Sequence, residues 1–167
     1  MKNFLPLMAV AMSMPVLGIG LPSRDAVGQT VSNIVGTWAW VSVDTTASDG
    51  KKSQPFGPNP AGLLVFDSNG RFAWLIARPG RAKFAAGNRD KGTPEENQAT
   101  VQGSLAFSGT YSLTDSSLSF KIEASTFPNA EGTEQKRSIT LTADELTWSN
   151  PATSTGAAGR AVLKRVK

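Results

Sequence analysis

The chain contains no cysteine and no histidine. Without cysteine there is no disulfide, no thiolate metal site, no cysteine nucleophile and no lipid carried on a cysteine, so packing alone must hold the fold. Without histidine there is no Ser/His/Asp triad, no imidazole general base and no ordinary zinc site. No motif calls for a metal or an organic cofactor, and none is expected. Excess charge is also scarce: the formal net charge is +4 over 167 residues. The basic side chains (Arg71, Arg78, Arg81, Lys83, Arg89, Lys91, Lys136, Arg137) are scattered rather than interleaved with aromatics, which argues against nucleic acid as a partner.

One long apolar stretch is present, at the start. Lys2 precedes a run from Phe4 to Leu21 interrupted by Ser13 and prolines, and polar residues with Arg24 and Asp25 follow. This is the pattern of an export signal, too short and too proline-broken for a membrane span, so no stable membrane insertion is expected. A small-x-small site at Ala26-Val27-Gly28 predicts a mature chain from Gln29, with Gly18-Ile19-Gly20 as the competing site. The plainer reading is an uncleaved anchor or tail. Export predicts a periplasmic or secreted protein, with residues 1–28 as the signal and 29–167 as one domain; the length suits a single domain with a sizeable core.

From Gly36 onward the chain alternates apolar and polar residues between turn signals. Eight strands are predicted, near 37–44, 62–67, 71–77, 107–113, 118–126, 134–142, 145–149 and 160–166. The clearest hairpin joins Leu63–Phe66 to Phe72–Ala77 through Asp67-Ser68-Asn69-Gly70, where Asn69-Gly70 suggests a type I′ turn. Thr93-Pro94-Glu95-Glu96 carries a capping threonine, proline at the first helical position and glutamate three residues after the cap, predicting one short helix to about Gln102. Glu95 and Glu96 therefore have a structural reason to be acidic. The irregular basic stretch from Arg78 to Lys91 is a candidate lid. Short turns between sequence neighbours describe an antiparallel meander, and eight strands without edge protection predict an all-β, up-and-down barrel, with a two-sheet sandwich as the alternative.

A set of short motifs in fixed order carries a resemblance. Ile34-Val35-Gly36-Thr37-Trp38 opens the first strand, followed by Pro55 to Pro60, Gly62-Leu63-Leu64, Asp67, Gly70-Arg71, Arg78 to Arg81, Gly92 to Glu96, Gly109-Thr110-Tyr111, Phe127-Pro128-Asn129 and Gly132 to Gln135. Over residues 34–166 this resembles the bacterial and fungal lipocalin-like domain family. The resemblance implies a lipocalin-type barrel with a small-molecule ligand and lends no reaction. It also implies that Gly36 and Trp38 are structural, the tryptophan closing one end of the barrel beneath an arginine, Arg165 or Arg160. Unlike true lipocalins, the chain has no cysteine and no marked helix after the last strand.

The candidate site residues come from face alternation. Phe72, Trp74, Ile76 and Arg78 share one face, as do Trp38 and Trp40, and in a barrel they are either core or the wall of a cavity for a flat apolar molecule. Lys121, Glu123, Ser125 and Phe127 share a face opposite Phe120 and Ile122. Were Glu123 inside, desolvation would raise its pKa and fit it for proton transfer; the plainer reading is a solvated outer face. Arg137 shares a face with Gln135, Ile139 and Leu141, so an inward Arg137 needs a carboxylate, from Glu123 or from a ligand. Tyr111, Glu123 and Arg137 together form the testable constellation, with an internal salt bridge as its structural reading.

Three functions follow. The leading one is an exported protein, monomeric or weakly associating, that binds a small apolar or amphipathic molecule through Trp74, Phe72, Arg78, Tyr111, Glu123 and Arg137. The second is a cofactor-free isomerase or cyclase with Glu123 and Tyr111 as its acid and base. The third is a structural envelope protein with a filled barrel.

Overall fold

The computed structural model describes residues 31–167, so the export signal and its cleavage sites lie outside the described residues. The strands are β1 Gly36–Thr46, β2 Lys52–Ser53, β3 Ala61–Phe66, β4 Arg71–Ala77, β5 Ser104–Thr114, β6 Ser117–Ser125, β7 Glu134–Leu141, β8 Glu145–Asn150 and β9 Ala158–Arg165. From β3 to β9 each strand pairs antiparallel with the next, β1 pairs with β3 on one side and β9 on the other, and the two-residue β2 adds to the end of β1. The result is a closed eight-stranded up-and-down barrel, and the sandwich alternative is excluded. The eight expected strands are all present. The largest difference is at β5, which begins at Ser104 because Leu105 and Ala106 continue the ladder with Ile76 and Leu75.

Closure removes exposed strand edges, and the period-2 pattern then sorts side chains into inside and outside. Leu64 and Phe66, Phe72 and Ile76, Phe107 and Tyr111, Leu118, Phe120 and Ile122, Leu146 and Trp148, and Ala161 and Leu163 are all buried. Two irregularities bend the wall. In β1 a bulge between Trp40 and Ser42 lets Trp38, Trp40 and, beyond the bulge, Thr45 all be buried. In β6 the pairing steps from Ala124 to Ile122 opposite Ser108 and Gly109, leaving Glu123 as the extra residue.

The hairpin at Asp67–Gly70 forms, but not as a type I′ turn. Gly70 has φ +79° whereas Asn69 stays at negative φ. The Asp67 carboxylate organises the loop instead, accepting from the backbone N–H of Asn69 at 2.9 Å and of Arg71 at 2.7 Å. Among the described residues two α-helices flank the barrel, α1 Val31–Ile34, one more than expected, and α2 Pro94–Gln102. The capping box of α2 is present, with Thr93 Oγ1 accepting from Glu96 N and Glu96 accepting from Thr93 N. Glu96 also accepts from Ala85 N at 2.8 Å, and these backbone hydrogen bonds hold its carboxyl below the usual range. The candidate lid is thus tied to α2 through Ala85. It is tied at its start as well, where Arg78 N donates to Gly103 O at 2.8 Å.

The two ends of the barrel differ. Short turns at Asp67–Gly70, 115–116 and 142–144 gather at one end together with α1, while the longer connections 47–60, 78–103, 126–133 and 151–157 gather at the other.

Candidate functional site in the barrel interior

The short-turn end is sealed. Trp38 is fully buried and its indole N–H donates to Ile34 O at 2.9 Å. The Arg165 guanidinium lies over the Trp38 ring, 4.2 Å from its centroid, and donates to the carbonyls of Val35 at 2.8 Å and Ala143 at 2.6 Å. A Cβ at Gly36 would come 2.8 Å from Arg165 Nη1, so glycine there makes room for the arginine. Arg165 takes the position over the tryptophan, and Arg160 lies exposed on the outer face of β9. Tyr111 belongs near this end: its hydroxyl donates to Asp67 O at 2.8 Å and its ring meets Phe66 edge-on at 4.7 Å.

Above this plug the interior is filled by aromatic rings in mutual contact. Trp40 lies 5.0 Å from Trp74 and Trp74 lies 5.4 Å from Trp148, centroid to centroid. Phe72 meets Phe120 at 4.8 Å and Phe107 meets Trp74 at 5.2 Å, both edge-on. Phe72 and Trp74 therefore face inward as expected. The indoles are not held alike. Trp40 donates to Leu75 O at 2.9 Å, whereas the Trp74 indole N–H is buried with no acceptor among the described residues.

The Trp40 bond has a specific local cause. Gly62 in β3 has φ +115°, and a Cβ there would lie 2.2 Å from Leu75 O. The neighbouring strand's carbonyl occupies the place of a side chain and presents itself to the indole. Only a residue without Cβ allows this.

Among the described residues Arg137 in β7 is the charged group of the interior. It is 7% exposed, its neighbours Lys136 and Ser138 face out, and Ile139 beyond it is buried. Nη1 donates to Lys136 O at 3.0 Å and Nη2 to Gln135 Oε1 at 2.6 Å. Both acceptors are neutral. Among the described residues no carboxylate pairs with it, and burial alone pulls its pKa down to about 10.

The expected constellation of Tyr111, Glu123 and Arg137 is not assembled. Glu123 lies outside the barrel and pairs with Arg71 at 2.6 Å, both side chains about half exposed. The apolar Phe120 and Ile122 take the interior because burying them removes large surfaces from water, which a carboxylate cannot match. With Glu123 outside and the Tyr111 hydroxyl bonded to a backbone carbonyl, the isomerase or cyclase reading has lost its acid–base pair. Burial, and next to it the Asp67 charge, raise the Tyr111 phenol pKa. Arg78, expected on the ligand face, leaves the barrel as β4 ends and its guanidinium donates to Pro55 O.

Among the described residues, clefts lie outside the barrel along the long connections. One of about 410 Å³ is lined by Ala77, Arg78, Arg81, Lys83, Phe84 and Thr100. Another, about 520 Å³, is lined by Asp44, Thr45, Lys52, Ser53, Gln54 and Arg160. None of the interior rings lines either one. Gln135, the partner of Arg137, and Trp148 show in the sequence only the alternation that signals an inward position. Gly62 carried no such signal.

No curated protein matches the chain. Among solved structures it is similar to a lipocalin-like protein from Bacteroides uniformis at 14% identity and a TM-score of 0.43, covering 80% of this chain and 99% of that one. The family model for the lipocalin-like domain matches residues 35–164, nearly the whole barrel. A barrel closed by β1 and β9, sealed at one end by a tryptophan under an arginine and matched along its length by that model, belongs to the lipocalin-like domain family.

Proposed function

We propose that this protein is exported and holds one small apolar or amphipathic molecule inside its barrel. The observation that carries the reading is the indole of Trp74, a buried donor with no acceptor among the described residues. Such a group costs about 1–3 kcal/mol when nothing satisfies it. Because the interior rings touch, an occupant enters by separating them. Trp38 and Trp40 are tethered to carbonyls whereas Trp74 and Trp148 are not, and of these two only Trp74 carries a fully buried unsatisfied donor, so Trp74 is the ring with most to gain by moving. Membership of a lipocalin-like family supports binding rather than turnover, and the pattern of residues 1–28 supports export.

The test is native mass spectrometry of the protein purified from a periplasmic or culture fraction, followed by organic extraction. The expected result is a chain beginning near Gln29 with one stoichiometric apolar or amphipathic molecule, lost in the Trp74→Ala variant. A chain that retains residues 1–28 refutes export. A chain that is empty, and stays empty against a broad metabolite extract, favours the second reading of a filled structural barrel of the envelope, which the ring-to-ring contacts support.

A further inference from the structure

We infer that the molecule held in the barrel is an apolar carboxylate, its head group bound by Arg137 beside Gln135. This rests on the proposed binding function and names the class of its ligand. Arginine carries five N–H donors in a planar fork. Two of them are taken, by Lys136 O and by Gln135 Oε1, and no other hydrogen bond leaves the guanidinium among the described residues. The positive charge is therefore surrounded by neutral groups while only 7% of the residue is exposed. Buried charges in folded proteins are ordinarily paired, and a guanidinium fork is the geometric match to a carboxylate.

Among the described residues no acid occupies the position. Glu123, five residues along β6 from Leu118, the cross-strand partner of Arg137, is on the outer wall and already joined to Arg71. The surroundings define the rest of the ligand. Gln135 pairs across the sheet with Phe120, and Ile139, next on the inward face of β7, pairs with Trp148. Phe120 and Trp148 touch each other at 6.2 Å, and both touch Trp74. A charged fork at the margin of a ring cluster fits a molecule with one anionic end and a flat or extended apolar body.

The experiment compares matched pairs, 2-naphthoic acid with methyl 2-naphthoate and dodecanoic acid with methyl dodecanoate, titrated into the mature protein at neutral pH and followed by tryptophan fluorescence and calorimetry. The acids are expected to bind about tenfold to a hundredfold tighter than the esters, the range of a charge-assisted hydrogen bond. In Arg137→Gln that preference falls to near unity, while Arg137→Lys, which keeps the charge but not the fork, retains part of it. Circular dichroism of each variant verifies the fold. Equal binding of acid and ester by the unaltered protein overturns the inference and leaves the binding function standing. An acid preference that survives Arg137→Gln also overturns it, placing the anion elsewhere, as at the cleft of Arg81 and Lys83. If neither member of either pair binds and no cargo is recovered by extraction, the binding function falls together with the inference.

Discussion

Replacing Gly62 by alanine should be far more damaging than an exposed Gly→Ala change in a strand. The new Cβ would lie 2.2 Å from Leu75 O, 2.9 Å from its carbonyl carbon and 3.2 Å from Ile76 Cα, all backbone atoms of the paired strand. None of them moves like the end of a flexible side chain. The position also sits at φ +115°, where an L residue carries roughly 1–3 kcal/mol of strain. Pushing the Leu75 carbonyl away breaks its 2.9 Å bond from the Trp40 indole and leaves a buried donor unsatisfied, for about another 1–3 kcal/mol. The expected loss is therefore about 2–6 kcal/mol, or a fall in Tm of about 6–24 °C for a domain of this size. Urea denaturation and a thermal scan by circular dichroism measure it. A double-mutant cycle with Trp40→Phe isolates the mechanism: once alanine at position 62 has broken the bond, removing the indole N–H costs less, giving a coupling of about 1 kcal/mol or more. A loss below about 1 kcal/mol, or strictly additive effects, refutes the role assigned to the inward-turned carbonyl.

Arg137→Met should stabilise the protein while abolishing any preference for acids. Burial lowers the guanidinium pKa to about 10, so the unfolded chain holds this proton more tightly than the folded one. The cost is present in full below about pH 10 and is relieved only as pH rises from there toward the ordinary arginine value, a gross penalty of about 3 kcal/mol. With two hydrogen bonds lost in exchange, the net gain read from the urea midpoint is about 1–2 kcal/mol, and a loss of more than about 1 kcal/mol contradicts it. Tyr111→Phe should cost about 1 kcal/mol through the bond to Asp67 O. Because the phenol pKa is raised in the folded state, stability should fall as pH climbs above about 10, and this lone tyrosine's absorbance should show tyrosinate appearing at higher pH than in the unfolded chain. Glu123→Gln removes an exposed ion pair, so stability should change by less than about 0.5 kcal/mol and ligand affinity not at all; a large change in either returns Glu123 to the site.

Face alternation made much of the site legible. Phe72 with Trp74, Phe120 with Ile122, and Arg137 with Ile139 were each assigned to a common face, and each pair is inside the barrel. The solvated reading of Glu123 held because two large apolar residues outweigh one carboxylate in choosing the inner face. Less was legible where the backbone departs from a regular period. The bulge that makes Glu123 an extra residue, and the loop in which Asp67 rather than a type I′ turn shapes the hairpin, depend on hydrogen bonds that local pattern does not encode.

The sequence by itself determined eight strands, which residues share a face of each, the capped α2 and, through the family resemblance, a tryptophan suited to close one end. These follow from period, capping residues and motif order, all properties of neighbours along the chain. Only the tertiary structure decided that β1 meets β9, that Arg165 rather than Arg160 covers Trp38, that Leu75 O fills the space left by Gly62, and that Arg137 lies buried without an acid among the described residues. Each of these depends on which distant segments the closed and sheared sheet brings together. Barrel closure sets that relation between strands, and no stretch of one strand contains it.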